Sequence, residues 1–355
     1  MAQRIGIMTF HYSFNYGAVL QAYGLCKAIR DLGHSPQVID YRPKAARHFL
    51  GQWGIRSRTP WSTLVRKLRF RWFIARQFPL TPRRYWDEAD FRKHPPECDV
   101  LVCGSDQPWN IQSSRGFDRP FFLDFLHDAP VGRISYAPSF GLTRDLGPHR
   151  DEIARLLSKF DAISVRDRPS AAIVRELTGR EPCYVMDPCF LTDFDEITDP
   201  RPIKNDYLLV YASPLTKEYR QMIQGIARSR GLRIVSVRSG FPGGNVAYRA
   251  AGIPQWLRLF RDARFICTNY FHGTVFSIKF MKPFLLFPRH GNESRMIDLI
   301  ERCGLSNRYV AAPSDHMDKG WDDAVDYDAA AAGIAQAIDV SRRYLKSAIE
   351  QGAGN

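Results

Sequence analysis

Apolar residues along this chain recur in two alternating rhythms. Short runs rich in β-branched and aliphatic residues predict strands at Arg4–Phe10, Pro36–Tyr41, Asp99–Cys103, Arg133–Ala137, Asp161–Val165 and Cys183–Met186. Between several of them, Gly17–Leu32 and Leu146–Leu157 carry apolar residues at helical spacing. The rhythm lapses over Phe190–Asn205, where Asp193, Asp195, Asp199, Pro200 and Pro202 predict a linker. It then restarts, with strands at Tyr207–Ala212, Arg233–Arg238, Arg264–Thr268 and Pro283–Phe287. Helices are expected at Thr216–Arg230, near Pro254–Arg261 and from about His272.

Strand and helix alternating in this way predict βαβ units around mostly parallel sheets. The expected fold is α/β, with two Rossmann-like domains facing each other across a cleft. Residues 1–195 form the first domain and 205–327 the second, and 328–355 make a C-terminal helix and tail. The Ala-rich stretch Asp328–Ile349 is expected to cross back and brace the first domain. No apolar run reaches the length of about 18 residues that a membrane span needs. The start, Met1 to Phe10, lacks the order of a secretory signal, so a cytoplasmic protein is expected.

Composition sharpens this picture in two places. The seven cysteines are scattered and form no C-x-x-C pair, which argues for small core hydrophobes rather than disulfides or a zinc site. The chain of 355 residues carries 50 Lys and Arg against 37 Asp and Glu, a net charge of +13 that favours anionic partners. Much of the excess lies between Arg47 and Arg84, an insertion in the first domain without a single Asp or Glu. Trp53, Trp61, Phe70, Trp72, Phe73 and Phe78 are interleaved with its arginines. Within it Thr63–Arg76 can form a helix with Leu64, Leu68 and Trp72 along one face. Two readings stand: a basic, aromatic face for an anionic membrane surface, or a helix whose apolar stripe docks on its own domain. Nucleic acid is disfavoured, because no recognised binding motif accompanies the charge.

Ligands of open α/β sheets sit at the carboxyl ends of strands, so the residues after each strand are the candidates. The first such loop, Phe10-His11-Tyr12-Ser13-Phe14-Asn15-Tyr16-Gly17-Ala18, opens a helix and suits an anion, or else Asn15 merely caps that helix. It is no dinucleotide fingerprint. The next, Gly104-Ser105-Asp106-Gln107-Pro108-Trp109-Asn110, holds more polar groups than a connection needs. Arg166 follows a strand as a ready clamp for a carboxylate or phosphate, unless it pairs at the surface with Asp167 or Glu176. In the second domain His272 begins a helix beside Gly273, with hydroxyls at Thr274 and Ser277. It can give and take protons near neutral pH. Asn292-Glu293-Ser294-Arg295 opens a further helix and could add a cation.

Together these segments resemble the polysaccharide pyruvyl transferase family over nearly the whole chain. The carriers are Asn15-Tyr16-Gly17-Ala18-Val19-Leu20-Gln21, Gly104 to Asn110, Ser164-Val165-Arg166-Asp167, Asp187-Pro188, Phe271-His272-Gly273-Thr274, Asn292 and Ser294-Arg295. The resemblance implies a fold like the two-Rossmann glycosyltransferases (GT-B-like), phosphoenolpyruvate as donor, no metal and no other cofactor. It implies a glycan or lipid-linked oligosaccharide as acceptor, while the basic segment Arg47–Arg84 carries the expectation of a peripheral place on the inner face of the cytoplasmic membrane. Arg166 and His272 fall at the family's essential arginine and histidine. His272 is expected as general acid, Arg166 on the donor's carboxylate or phosphate, and Asp106 on the acceptor hydroxyls. Asn15, Gly17, Ser105, Gln107, Gly273, Thr274, Asn292 and Arg295 are expected around the donor. The sequence departs from better-studied members at Tyr270, where they have an arginine, and at Ala18, where some have an acidic residue. The missing cation is then expected from Arg295 or Arg289. The rival reading is a nucleotide-sugar glycosyltransferase on the same fold. A non-catalytic glycan- or membrane-binding relative is a third, against which Arg166 and His272 argue.

Overall fold

The computed structural model describes residues 1–43, 60–126, 130–289, 293–313 and 325–354. The chain divides into two compact units. One takes the described residues of Met1–Arg58, Ile74–Asp193 and Gln336–Asn355, the other those of Thr59–Phe73 and Phe194–Ala335.

The first unit is built on strands β1 (Arg4–Met8), β2 (Ser35–Tyr41), β3 (Leu80–Tyr85), β4 (Val100–Cys103) and β5 (Gly132–Ser135). They pair in parallel in the order β3-β2-β1-β4-β5. A bridge between Ile134 and Ala162 leads on to a short parallel pair, β6 (Ser164–Val165) and β7 (Cys183–Tyr184). Strands β1 and β4 are buried on both faces, which is why they read as near-continuous apolar runs. Strand β3, inside the stretch expected to be a basic insertion, was not foreseen. It is an edge strand carrying Pro82 and exposed Arg83 and Arg84, features that suit an edge and disguise a strand.

The second unit repeats the plan with β8 (Tyr207–Tyr211), β9 (Arg233–Val237), β10 (Val246–Tyr248), β11 (Phe265–Thr268) and β12 (Phe284–Leu286). Their order is β10-β9-β8-β11-β12, again all parallel. Strand order therefore reverses between β1 and β4 in one sheet, and between β8 and β11 in the other. Such reversals leave a crevice beyond the carboxyl ends of the two central strands, where ligands of this kind of sheet bind. None of the seven cysteines is in a disulfide and, Cys183 apart, all are buried; burial pushes the thiols of Cys26, Cys98 and Cys303 up to about 12.

Two helices correct the expected domain boundaries. The basic helix spans Pro60–Gln77, and Thr59–Phe73 groups with the second unit rather than the first. The cause is its arginines. Arg66 Nη1 donates to the Arg249 carbonyl at 3.1 Å, and Arg69 Nη1 to the Ala250 carbonyl at 2.9 Å and Gln255 Oε1 at 2.6 Å. The buried side carries Thr63, Phe70, Phe73 and Ile74, so the stripe of Leu64, Leu68 and Trp72 is not the one that docks. Residues 47–59 of the basic stretch lie outside the described residues.

The C-terminal helix, Tyr327–Ala353, begins in the second unit and joins the first from Gln336 onward. Ser341 Oγ accepts from the Met186 N–H at 2.8 Å, and the Tyr344 hydroxyl donates to the Ser135 carbonyl at 2.9 Å. Near its end the helix touches β5 so closely that a Cβ on Gly132 would lie 2.2 Å from the Gly352 oxygen. Among the described residues no helix is long and apolar enough to cross a membrane.

Candidate functional site

In the first unit the loops after β1 and β4 meet at the switch point. Asn15 caps the helix Tyr16–Asp31, its Oδ1 accepting from the Gly17 N–H at 3.0 Å. Gln21, on the next turn, is fully buried and donates to Thr9 Oγ1 at 2.9 Å and the Ala18 carbonyl at 2.8 Å. Thr9 Oγ1 in turn donates to the Ser105 carbonyl at 3.2 Å. The first motif thus fastens its helix to β1 and to the β4 loop, and Asn15 and Gly17 hydrogen-bond each other. Gln107 turns the same way, accepting from Asn110 Nδ2 at 2.8 Å.

Arg166 stands at the end of β6. Its Nη1 donates to Asp187 Oδ2 at 3.0 Å and Ser105 Oγ at 3.4 Å, and its Nη2 to Asp106 Oδ1 at 3.3 Å. Ser105 Oγ also donates to Asp187 Oδ2 at 3.2 Å. The alternative partners expected from sequence are engaged elsewhere: Asp167 caps the helix Arg168–Thr178 by accepting from the Ser170 N–H, and Glu176 meets Arg150. The Arg166 side chain is 1% exposed and is held between two carboxylates, which corrects its placement as an open anion clamp. Asp106, with its side chain 16% exposed, is the member of the triad that reaches a surface. Its φ of 81° lies in the left-handed region, a strain of about 1–3 kcal/mol that the ion pair and a backbone bridge to Pro138 maintain.

A second polar cluster lies at these strand ends, around a residue that no motif of the sequence singles out. His11 Nε2 lies 2.9 Å from Asp40 Oδ1, while Asp40 also accepts from Arg42 Nε at 2.6 Å and Arg84 Nε at 3.0 Å. Burial pushes the Asp40 carboxyl up, but these hydrogen bonds outweigh it and hold the group well below the usual carboxylate range. The signal was available in Asp40, near the end of a predicted strand. Two guanidiniums and an imidazole meet on one carboxylate, so the cluster ties the ends of β1, β2 and β3 together and leaves a net positive charge there.

In the second unit, β11 ends at Thr268 and the helix Phe271–Lys279 starts after Asn269 and Tyr270. Asn269 ties the switch point together, accepting from the Ser213 N–H at 2.8 Å and donating to Ser213 Oγ at 2.9 Å. A Cβ on Gly273 would fall 2.0 Å from Thr268 Oγ1, so only glycine lets the helix begin against the strand end. That close approach sets His272 in the helix's first turn, 8% exposed, where backbone N–H groups lack intrahelical acceptors. Thr274 and Ser277 point back: their hydroxyls donate to the Tyr270 and Gly273 carbonyls at 3.3 and 2.8 Å. Thr274, expected at the donor, is instead fully buried helix structure.

The cations expected to replace an arginine at Tyr270 now separate. Arg295 is buried, its guanidinium 5.9 Å from the Phe271 ring centroid. Arg289, half-buried after β12, lies 4.6 Å over the Tyr270 ring. Tyr270 packs 4.7 Å from Tyr211, whose hydroxyl burial pushes up while Arg238 and Arg289 pull it down. Arg238, missed as a site residue although it ends a predicted strand, has a φ of 68°, again left-handed. Among the described residues neither Arg238 nor Arg289 forms an ion pair with a carboxylate. Asn292 lies outside the described residues.

Two Rossmann-like units, each with polar loops at its switch point, define a GT-B-like protein. Solved structures agree. Anabaena HepE in complex with UDP-glucose superposes with a TM-score of 0.54 at 11% identity, over 97% of this chain and 99% of that one. S. aureus MnaA with UDP gives 0.50 at 11% identity over 88% and 84%, and a UDP-N-acetylglucosamine 2-epimerase 0.51 at 11% over 98% and 95%. At such identity the likeness concerns the fold alone. No curated protein matches the chain. The sequence model of the polysaccharide pyruvyl transferases matches residues 15–291, and the chain belongs to that family.

Proposed function

We propose that this chain transfers a pyruvyl group from phosphoenolpyruvate to a sugar of a polysaccharide or its lipid-linked precursor, forming a cyclic ketal and releasing phosphate. The observation that carries the reading is His272, held by the Gly273–Thr268 contact in the first turn of a helix within the family-matched segment. His272 delivers a proton to the donor's methylene carbon, which becomes the methyl group. The adjacent carbon gains oxocarbenium character, and one sugar hydroxyl attacks it and loses its proton. The carbon–oxygen bond to phosphate then breaks, and a second hydroxyl of the same sugar closes the ketal. Two C–O bonds form and one breaks; one of the two hydroxyl protons leaves on phosphate and the other restores the proton that His272 gave up.

Arg166 acts in this scheme as a positioning residue, holding Asp106 in its left-handed conformation. Asp106 accepts from acceptor hydroxyls. Arg289 over Tyr270, with Arg238 nearby, supplies positive charge for the donor anion. Replacing Arg289 by Ala should raise the KM for phosphoenolpyruvate about 10- to 100-fold, the equivalent of one charge-assisted hydrogen bond. Calorimetry against phosphoenolpyruvate and uridine diphosphate, each competed with the other, tests the reading. Tight binding of uridine diphosphate with no binding of phosphoenolpyruvate would transfer the protein to nucleotide-sugar chemistry. A proton spectrum of the acceptor glycan after incubation should show the ketal methyl signal.

A further inference from the structure

The basic helix has two unlike faces. Thr63, Phe70, Phe73 and Ile74 are buried, and Arg66 and Arg69 tie the helix to the Arg249–Gln255 segment. On the opposite side Trp61, Leu64, Leu68 and Trp72 are 78, 46, 53 and 58% exposed. At 3.6 residues per turn these four fall within an arc of about 80°, forming an apolar ridge about 16 Å long. A tryptophan stands at each end. Among the described residues the other exposed large apolar side chains are Met1, Leu32 and Met281, which are scattered singly and need no explanation. Among the described residues, then, the ridge is a feature of this helix alone.

Its surroundings indicate what covers it. Lys67 and Arg71 flank the ridge on one edge and Arg76 on the other, Arg71 and Arg76 being exposed. No acidic residue occurs anywhere from 47 to 84. An apolar ridge ending in tryptophans, bordered by cations and free of carboxylates, matches the interface of an anionic bilayer. The aromatic rings sit at headgroup level, the leucines reach the acyl boundary and the cations meet lipid phosphates. A second copy of the chain fits less well, because pairing two ridges would bring like-charged edges together. A nucleic acid would leave the leucines without an apolar partner.

We propose that the Trp61–Trp72 ridge of the basic helix docks this protein on the surface of an anionic lipid bilayer. The docking does not depend on the identity of the donor. Sedimentation of the full chain with vesicles of phosphatidylcholine containing phosphatidylglycerol tests it, with pure phosphatidylcholine vesicles alongside. Binding is expected to the mixed vesicles only and to weaken as salt rises. The doubly substituted Leu68→Ser, Trp72→Ser protein should bind at least about tenfold more weakly, since two large apolar side chains no longer enter the lipid. Its melting temperature should fall by only a few degrees, because both side chains are more than half exposed. Equal binding by the variant would show that net charge alone is responsible, and would overturn the proposal. So would failure of the wild-type chain to bind, or a concentration-dependent dimer that the same substitutions abolish.

Discussion

His272→Gln should lower ketal formation by roughly 10² to 10⁴ while leaving phosphoenolpyruvate binding within a few-fold of wild type. The amide keeps much of the imidazole's size and some of its hydrogen bonding, but it cannot give up a proton. The packing that sets the position belongs to Gly273, Thr268 and Tyr211, so the helix should keep its place in the variant. Rate and calorimetry on the same preparations separate the two effects. Near-normal turnover in His272→Gln would falsify His272 as the proton donor, while leaving family and fold untouched.

Arg166→Met is expected to destabilise the first unit by about 3–5 kcal/mol, because it leaves Asp187 buried with its charge uncompensated. For a unit of this size that corresponds to a fall in melting temperature on the order of 10 °C. Asp106 would lose its anchor as well, and its left-handed backbone would relax. Arg166→Lys keeps the charge but not the fork that reaches Asp106, Asp187 and Ser105 together, so it should recover only part of the stability. A donor clamp predicts a different outcome: an unchanged melting temperature with a much raised KM for phosphoenolpyruvate. Thermal unfolding followed by a KM measurement distinguishes the two.

The contrast between these residues shows what the sequence could and could not convey. Strand–helix alternation was plain, because central parallel strands such as β1 and β4 must be apolar throughout. The placement of His272 at a strand-to-helix turn was plain as well, since the glycine beside it signals close approach. Arg166 was legible as important but not as buried, because nothing in Ser164-Val165-Arg166-Asp167 reveals that Asp187, 21 residues on, closes on it. The motif residues Asn15 and Gln107 look like ligand groups in the sequence, yet their side-chain oxygens accept from their own loops. Strand β3 was hidden by the proline and arginines that suit an edge. The basic helix is the least legible element: its pattern is plainly amphipathic, but two different stripes are apolar, and the buried one includes Phe70 and Phe73.

The threading of the C-terminal helix bears on how the protein is made. A ribosome delivers β1 to β7 early, but the surface around Ser135, Met186 and Gly132 stays open until residues up to Gly352 have emerged. The unit that is synthesised first is thus completed last. Most of the second unit comes from one continuous stretch, Phe194–Ala335, and needs no later residue. Translation order and closure order are therefore opposed, and the nascent N-terminal half has its strands complete but the surface around Gly132, Ser135 and Met186 uncovered until the last helix emerges. A chain stopped after Ala335 should leave that half sensitive to protease while the second unit resists. Limited proteolysis of the truncated and full-length chains, side by side, would show which half waits.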